Sequence, residues 1–269
     1  MADETPPRRR PGELSFAGRR RLFLVGAAGL AALLLWGLAG LPDFSSFTPL
    51  LGQVMNQVAV DERSSTAVVS AINFDYRGFD TLGEEFILFA AVLVLALLLR
   101  ALGEERSGPI DDDAPRRRSG KTSDVVRLTT VALVGPTVLL AIYISTHGHL
   151  TPGGGFQGGV IAATALLLVY LGGDYAAMRR VRPLSLVVSA KAAGAGAFVL
   201  IGLGGLIFAG AFLENFLPLG TPGHLVAAGT IPLLSIAVGF EVAGGFVLLL
   251  SEFLDQLLVL RRQRRRRSR

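Results

Sequence analysis

His147-Gly-His-Leu-Thr-Pro-Gly-Gly-Gly-Phe-Gln-Gly-Gly-Val160 joins two apolar runs, each long enough to cross a bilayer. It holds six glycines, a proline and two of the chain's three histidines. A plain hairpin turn does not need so many glycines. The backbone here must take left-handed conformations or approach a neighbouring chain segment closely. The reading that follows is an all-α protein of membrane-crossing helices packed through small residues.

Composition agrees with that reading. Half of the 269 residues are hydrophobic (51%) and only 17% are charged, against about 25% in a typical soluble globule. The charges are clustered, which leaves long stretches nearly free of them. The chain has no cysteine, so it can build no disulfide, zinc–thiolate site or iron–sulfur cluster of its own. The net charge of +5 does not point to nucleic acid, because the arginines lie in loops and tails where topology accounts for them.

Six segments are long enough to span: 22–41, 84–102, 125–145, 156–173, 184–211 and 226–253. The first follows a charged N-terminus without an Ala-x-Ala site and reads as a retained helix. Arginines precede the first span and lie between the second and third and between the fourth and fifth, and they fill the tail. The opposite loops hold only Arg63 and Arg77. The positive-inside rule then puts both termini in the cytoplasm and the His147–Phe156 turn on the outer side.

The layout divides into a basic N-terminus (1–21), a two-helix module (22–102) with an outer loop at 42–83, a charged linker (103–124), a four-helix module (125–255) and a basic tail (256–269). The linker carries Pro, Gly and both signs of charge, as a tether does. The tail suits a lipid surface better than RNA. Residues 62–73 read either as an interfacial helix or as an ordered loop.

Few residues can carry chemistry. Asp80 and Glu84 are four apart, so a helix starting near Asp80 would put both acids on one face in the outer third of the membrane. The plainer reading is a capping box, Thr81-x-x-Glu84, at a helix start. Glu241 lies mid-span, where an isolated acid costs about 3 kcal/mol on insertion scales and must be protonated, paired or hydrated. Lys191 lies two turns into its helix and either snorkels or pairs, with Glu241 as one partner. Asp174 and Glu214 sit at helix ends. His147 and His149 make a weak metal signal without further ligands; hydrogen bonding or a proton relay, as candidates on the ion path, suits them better, and a structural role better still. Gly148, Pro152, Gly153, Gly154, Gly155, Phe156, Gly158 and Gly159 read as a helix-packing motif. No phosphate loop, dinucleotide fingerprint or nucleophile elbow occurs, so neither cofactor nor metal site is expected.

Gly148-His-Leu-Thr-Pro-Gly-Gly-Gly-Phe-Gln-Gly-Gly-Val160, with Leu217-Pro-Leu-Gly-Thr-Pro-Gly223 and Gly239-Phe-Glu-Val-Ala-Gly-Gly-Phe246, resembles the B-type (MnhB) component of Mrp-type multisubunit Na+/H+ antiporters. The family usually has Phe-Asp-Leu-Gly where this chain has Phe240-Glu241-Val242-Ala243. Asn73-Phe-Asp-Tyr-Arg-Gly-Phe-Asp-Thr-Leu-Gly-Glu84 resembles the C-terminal part of the large A-type component, equivalent to the small E-type component of membrane-bound hydrogenases. The resemblance implies a fusion of two neighbouring components in a bacterial inner membrane. It implies partners that include large subunits like those of respiratory complex I, with Na+ and H+ as transported ions. It also implies that Asp80 and Glu84 matter for transport. This chain lacks the long Lys/Glu relays of the large subunits, so the expected role is that of an accessory subunit in secondary antiport. Two alternatives stand beside it: a purely structural packing subunit, and a subunit in the membrane arm of a respiratory hydrogenase or related oxidoreductase.

Overall fold

The computed structural model describes residues 16–41, 50–104, 122–173 and 175–267. Most of the linker, Asp174, the first fifteen residues and segment 42–49 lie outside them, as do the side chains of 255–269. The described residues form helices joined by turns and connections, with no strand. In chain order they form α1 (Phe16–Ala39), α2 (Leu50–Arg63), α3 (Val68–Ala71), a π-helical turn (Ile72–Tyr76), α4 (Gly78–Glu104), α5 (Asp124–Thr146), α6 (Gly155–Gly172), α7 (Tyr175–Val181), α8 (Leu184–Phe208) and α9 (Ile231–Arg267). Six of them, α1, α4, α5, α6, α8 and α9, are long and apolar enough to cross a membrane.

Residues up to Leu50 and residues from Leu51 onward form separate compact units. In the first, α1 is a 24-residue helix whose stretch Arg20–Ala39 has a mean hydropathy of 2.2. The second is a bundle built around α9. Helix α9 packs on α4, α6 and α8, and α5 packs mainly on α6. The share of buried residues is 61% in the apolar window of α9 and no more than a third in the others, which marks α9 as the core helix. Its own Ile231, Leu234, Val238 and Val242 form one apolar cluster with Phe74 and Phe198.

Several boundaries differ from the sequence reading. The last span starts at Ile231, not 226, because Ala228 and Gly229 adopt left-handed φ values of 66° and 60° and turn the chain into the helix. Pro232 then sits in the first turn, where its missing N–H costs nothing. Helix α9 also runs on to Arg267, so most of the basic tail is helical. The second span starts at Gly78, six residues early. That puts Thr81 inside the helix, where its hydroxyl donates to Asn73 O (2.6 Å), and removes the capping-box reading. The loop read at 42–83 contains α2, α3 and the π turn.

Glycines make the bundle tight. A Cβ at Gly159 would lie 2.8 Å from Gly239 O, and one at Gly155 would lie 2.7 Å from Gly239 N. One at Gly158, on another face of α6, would lie 2.7 Å from Ala141 O of α5. Three glycines of the quoted stretch therefore seat α6 against two helices at backbone distance, the small-residue mode that works in lipid. Gly159→Leu is expected to destabilise the chain by about 2 kcal/mol or more, as overpacking does. Thermal unfolding in mild detergent would read it, with Gly135→Ala, which meets nothing within 4 Å, melting like the parent.

Candidate functional site

Two acids and a lysine meet in the interior of the bundle. Glu241 of α9 is 1% exposed, Glu85 of α4 is 5% exposed and Lys191 of α8 is 4% exposed. The Glu85 and Glu241 carboxyls lie close enough to interact directly. No hydrogen-bond partner reaches Glu85 Oε2 or either oxygen of Glu241 among the described residues. Two bare carboxylates in that position would repel strongly away from water. The Lys191 ammonium adds a positive field at Glu241 but donates to Phe89 O (3.0 Å) and stands 3.8 Å from the Phe89 ring centroid.

The α8–α9 contact explains how Lys191 and Glu241 approach. The two helices are antiparallel, and each gives a glycine to the other's charged residue. A Cβ on Gly194 would fall 2.5 Å from Glu241 N, and one on Gly244 would fall 2.9 Å from Lys191 N. Lys191 and Gly194 are three apart, as are Glu241 and Gly244, so each pair shares a helix face.

Other residues singled out in the sequence lie elsewhere. Asp80 and Glu84 are exposed on α4, away from Glu241. Asp80 pairs with Arg77, whose Nε donates to Asp80 Oδ2 at 2.7 Å. The acid that meets Glu241 is Glu85, which the sequence reading missed. A signal was present: Thr81, Glu85, Val92 and Ala96 fall on one stripe at helical spacing, and all four are buried. Glu84 lies one residue off that stripe.

The glycine-rich turn closes one end of the bundle. Gly154, at φ 139°, leads into α6. A Cβ on Gly148 would sit 2.8 Å from Gly154 Cα, which leaves room only for glycine. The α2–α3 connection and α3 clamp this turn: Ser65 Oγ donates to His149 O (3.0 Å), Thr66 Oγ1 to Leu150 O (2.7 Å), and Ser70 Oγ of α3 to Gly148 O. Pro152 is exposed, and the half-exposed Phe156 meets Phe246 edge-on with ring centroids 6.2 Å apart. His147 stacks on Tyr143 at 4.2 Å, and its Nδ1 lies 3.1 Å from Tyr143 O. His149 is fully buried, with Nε2 3.4 Å from His224 O and no hydrogen-bond partner at Nδ1. No group of three or more potential metal ligands occurs among the described residues.

With this geometry in view, comparison with known proteins is informative. Residues 125–248 match the profile described as a domain related to the MnhB subunit of Na+/H+ antiporters. The B-type component of a Na+/H+ antiporter of Alkalihalophilus pseudofirmus is 36% identical over 100 residues, 36% of this chain and 67% of that protein. The chain belongs to the MnhB family. Its likeness is wider than that domain. An uncharacterized protein of Methanocaldococcus jannaschii is 31% identical over 209 residues, covering 71% of this chain and 78% of the relative. Among solved structures, a chain of the Mrp complex from Dietzia sp. superposes with a TM-score of 0.63 at 27% identity, covering 89% of this chain but only 26% of that one. A chain of the membrane-bound sulfane sulfur reductase, an archaeal respiratory membrane complex, gives 0.65 at 27% identity, covering 88% and 98%. These multisubunit neighbours mark a multi-pass membrane component of a larger assembly, and the antiporter-component matches mark a transporter rather than an enzyme.

Burial holds the His149 imidazole below its ordinary pKa, so it stays neutral in the fold. Once the chain unfolds, the ring takes up a proton near pH 6.5. Its contribution to stability is therefore complete above about pH 6.5 and declines as the pH falls below that value. Melting temperatures from pH 8 to 5 should drop for the parent and drop less for His149→Asn.

Proposed function

We propose that this chain is an accessory membrane subunit of a monovalent cation/proton antiporter, seated in a bacterial inner membrane with both termini in the cytoplasm. The observation that carries the ionic part of this reading is the Glu85–Glu241 contact. A carboxyl pair buried between membrane-spanning helices can exchange a shared proton for a Na+ or K+ ion, since carboxylate oxygens suit hard cations. Lys191 tunes that exchange by opposing cation occupancy electrostatically. The named relatives support the reading. They include the B-type component of a Na+/H+ antiporter of Bacillus subtilis and a probable K+/H+ antiporter protein of the combined A/B type from Rhizobium meliloti, of which this chain spans 13%. We assign Asp80 and Glu84, exposed on α4, to the surface that meets large partner subunits, and His147 and His149 to the outer closure of the bundle. The fusion of an A-type two-helix module with the B-type module is part of the same proposal.

A second reading, a place in the membrane arm of a respiratory oxidoreductase, is favoured by one observation. The chain covers 98% of the matching chain in the sulfane sulfur reductase. The proteins that copurify in mild detergent separate the two: antiporter components support the first and redox proteins with iron–sulfur clusters support the second.

For the carboxyl pair, Glu85→Gln and Glu241→Gln are each expected to lower cation/proton exchange in everted vesicles by about tenfold or more while the complex still assembles, a factor of ten being about 1.4 kcal/mol in the barrier. Full exchange with normal assembly in both variants would contradict the proposal.

A further inference from the structure

We infer that Asn215 is a positioning residue that sets which of the adjacent acids, Glu84 or Glu85, faces Glu241. Asn215 lies in the connection between α8 and α9, and its amide makes three hydrogen bonds. Nδ2 donates to Asp75 Oδ2 (3.0 Å) and to Ala228 O (3.1 Å), while Oδ1 accepts from Thr230 N (2.9 Å). The amide orientation follows from the partners, since two are acceptors and one is a donor.

Asp75 belongs to the π-helical turn that leads into α4, and Thr230 immediately precedes α9. One side chain therefore ties the start of α4 to the start of α9. Asp75 is anchored from its other side by the Arg63 guanidinium, whose Nε lies 2.6 Å from Oδ1. The neighbouring Tyr76 hydroxyl donates to Glu62 Oε2 at 2.7 Å, and its phenol is pushed up to about 12 by burial and by that carboxylate, so it remains a donor. Gly229, at φ 60°, makes room for the amide, because a Cβ there would meet Asn215 Nδ2 at 2.8 Å.

From this common origin α4 and α9 run in the same direction. Glu85 lies ten residues beyond Asp75 and Glu241 eleven beyond Thr230. These near-equal separations bring both carboxyls to a similar depth, about 16 Å from the tie at 1.5 Å per residue along α9. The register holds further along, where a Cβ on Gly245 would lie 3.4 Å from Val92. A slip of one residue in α4 would turn the helix by about 100° and shift it by about 1.5 Å. Glu85 would leave α9, and Glu84 would swing toward it. Adjacent acids make this site unusually sensitive to register, and Asn215 is the bond that spans the two helix starts. The transport consequence rests on the function proposed above; the register claim does not.

The chain has no cysteine, which gives a clean background for cross-linking. Two pairs, E85C/E241C and E84C/E241C, are made in the assembled complex in native membranes and treated with a short bis-methanethiosulfonate. With Asn215 present, the first pair should cross-link much faster than the second. Asn215→Ala should lower that preference by at least about fivefold, the factor that goes with one net hydrogen bond. Recovery of the intact complex with a cooperative melt in mild detergent serves as the control that the bundle is folded. If Asn215→Ala abolishes that control, Asn215→Asp supplies the reading, because it keeps the acceptor for Thr230 N and loses the donor to Asp75. An unchanged preference in the folded variant overturns the inference. In exchange assays, the loss caused by the Asn215 variant should vanish in a Glu85→Gln background, and additive losses would contradict a role through Glu85. Intact exchange in Glu85→Gln alone would remove the transport reading and leave the cross-linking result standing.

Discussion

An acid buried in the middle of the central helix governs the rest of the structure. Glu241 can neither reach a surface nor remain alone in hydrocarbon, so neighbouring helices must supply its partners at short range. Helix α4 supplies Glu85 and α8 supplies the field of Lys191. Each approach requires that nothing bulky stand between backbones. The requirement appears as Gly194 against Glu241 and Gly244 against Lys191. The charged residues and the glycines are one design, since neither arrangement is possible without the other.

The glycine-rich turn works at a different level. Gly155 and Gly159 hold α6 on α9, Gly158 holds it on α5, and serines of the α2–α3 connection and α3 seal the carbonyls of Gly148 and His149. These contacts fix the position of α9 but put no titratable group beside Glu241. The most recognisable segment of the chain is thus its packing seam, and the charge-bearing centre lies in the adjoining helices.

Much of this was legible in the sequence. Long apolar runs between charged loops give the six spans, and an acid flanked by apolar residues on both sides marks Glu241. Glu85 was not legible from local rules, because Thr81-x-x-Glu84 mimics a helix cap and draws attention to the wrong neighbour. The decision between adjacent acids depends on where α4 begins. That start is set by the π turn and by an amide more than a hundred residues away, and no local pattern encodes it. Helix α2 was hidden for a related reason. Its mixed polar and apolar residues look like a loop until the contacts of Arg63 with Asp75 and Tyr76 are known.

The central claim is that Glu85 and Glu241 act as one shared site. Infrared difference spectroscopy of the assembled complex, taken between low and high Na+ at fixed pH, tests it most directly. The account predicts a protonated-carboxyl band that is lost in Glu241→Gln, is shifted or lost in Glu85→Gln, and is unchanged in Glu84→Gln. A band that survives both of the first two substitutions, or one that vanishes only with Glu84, would contradict it.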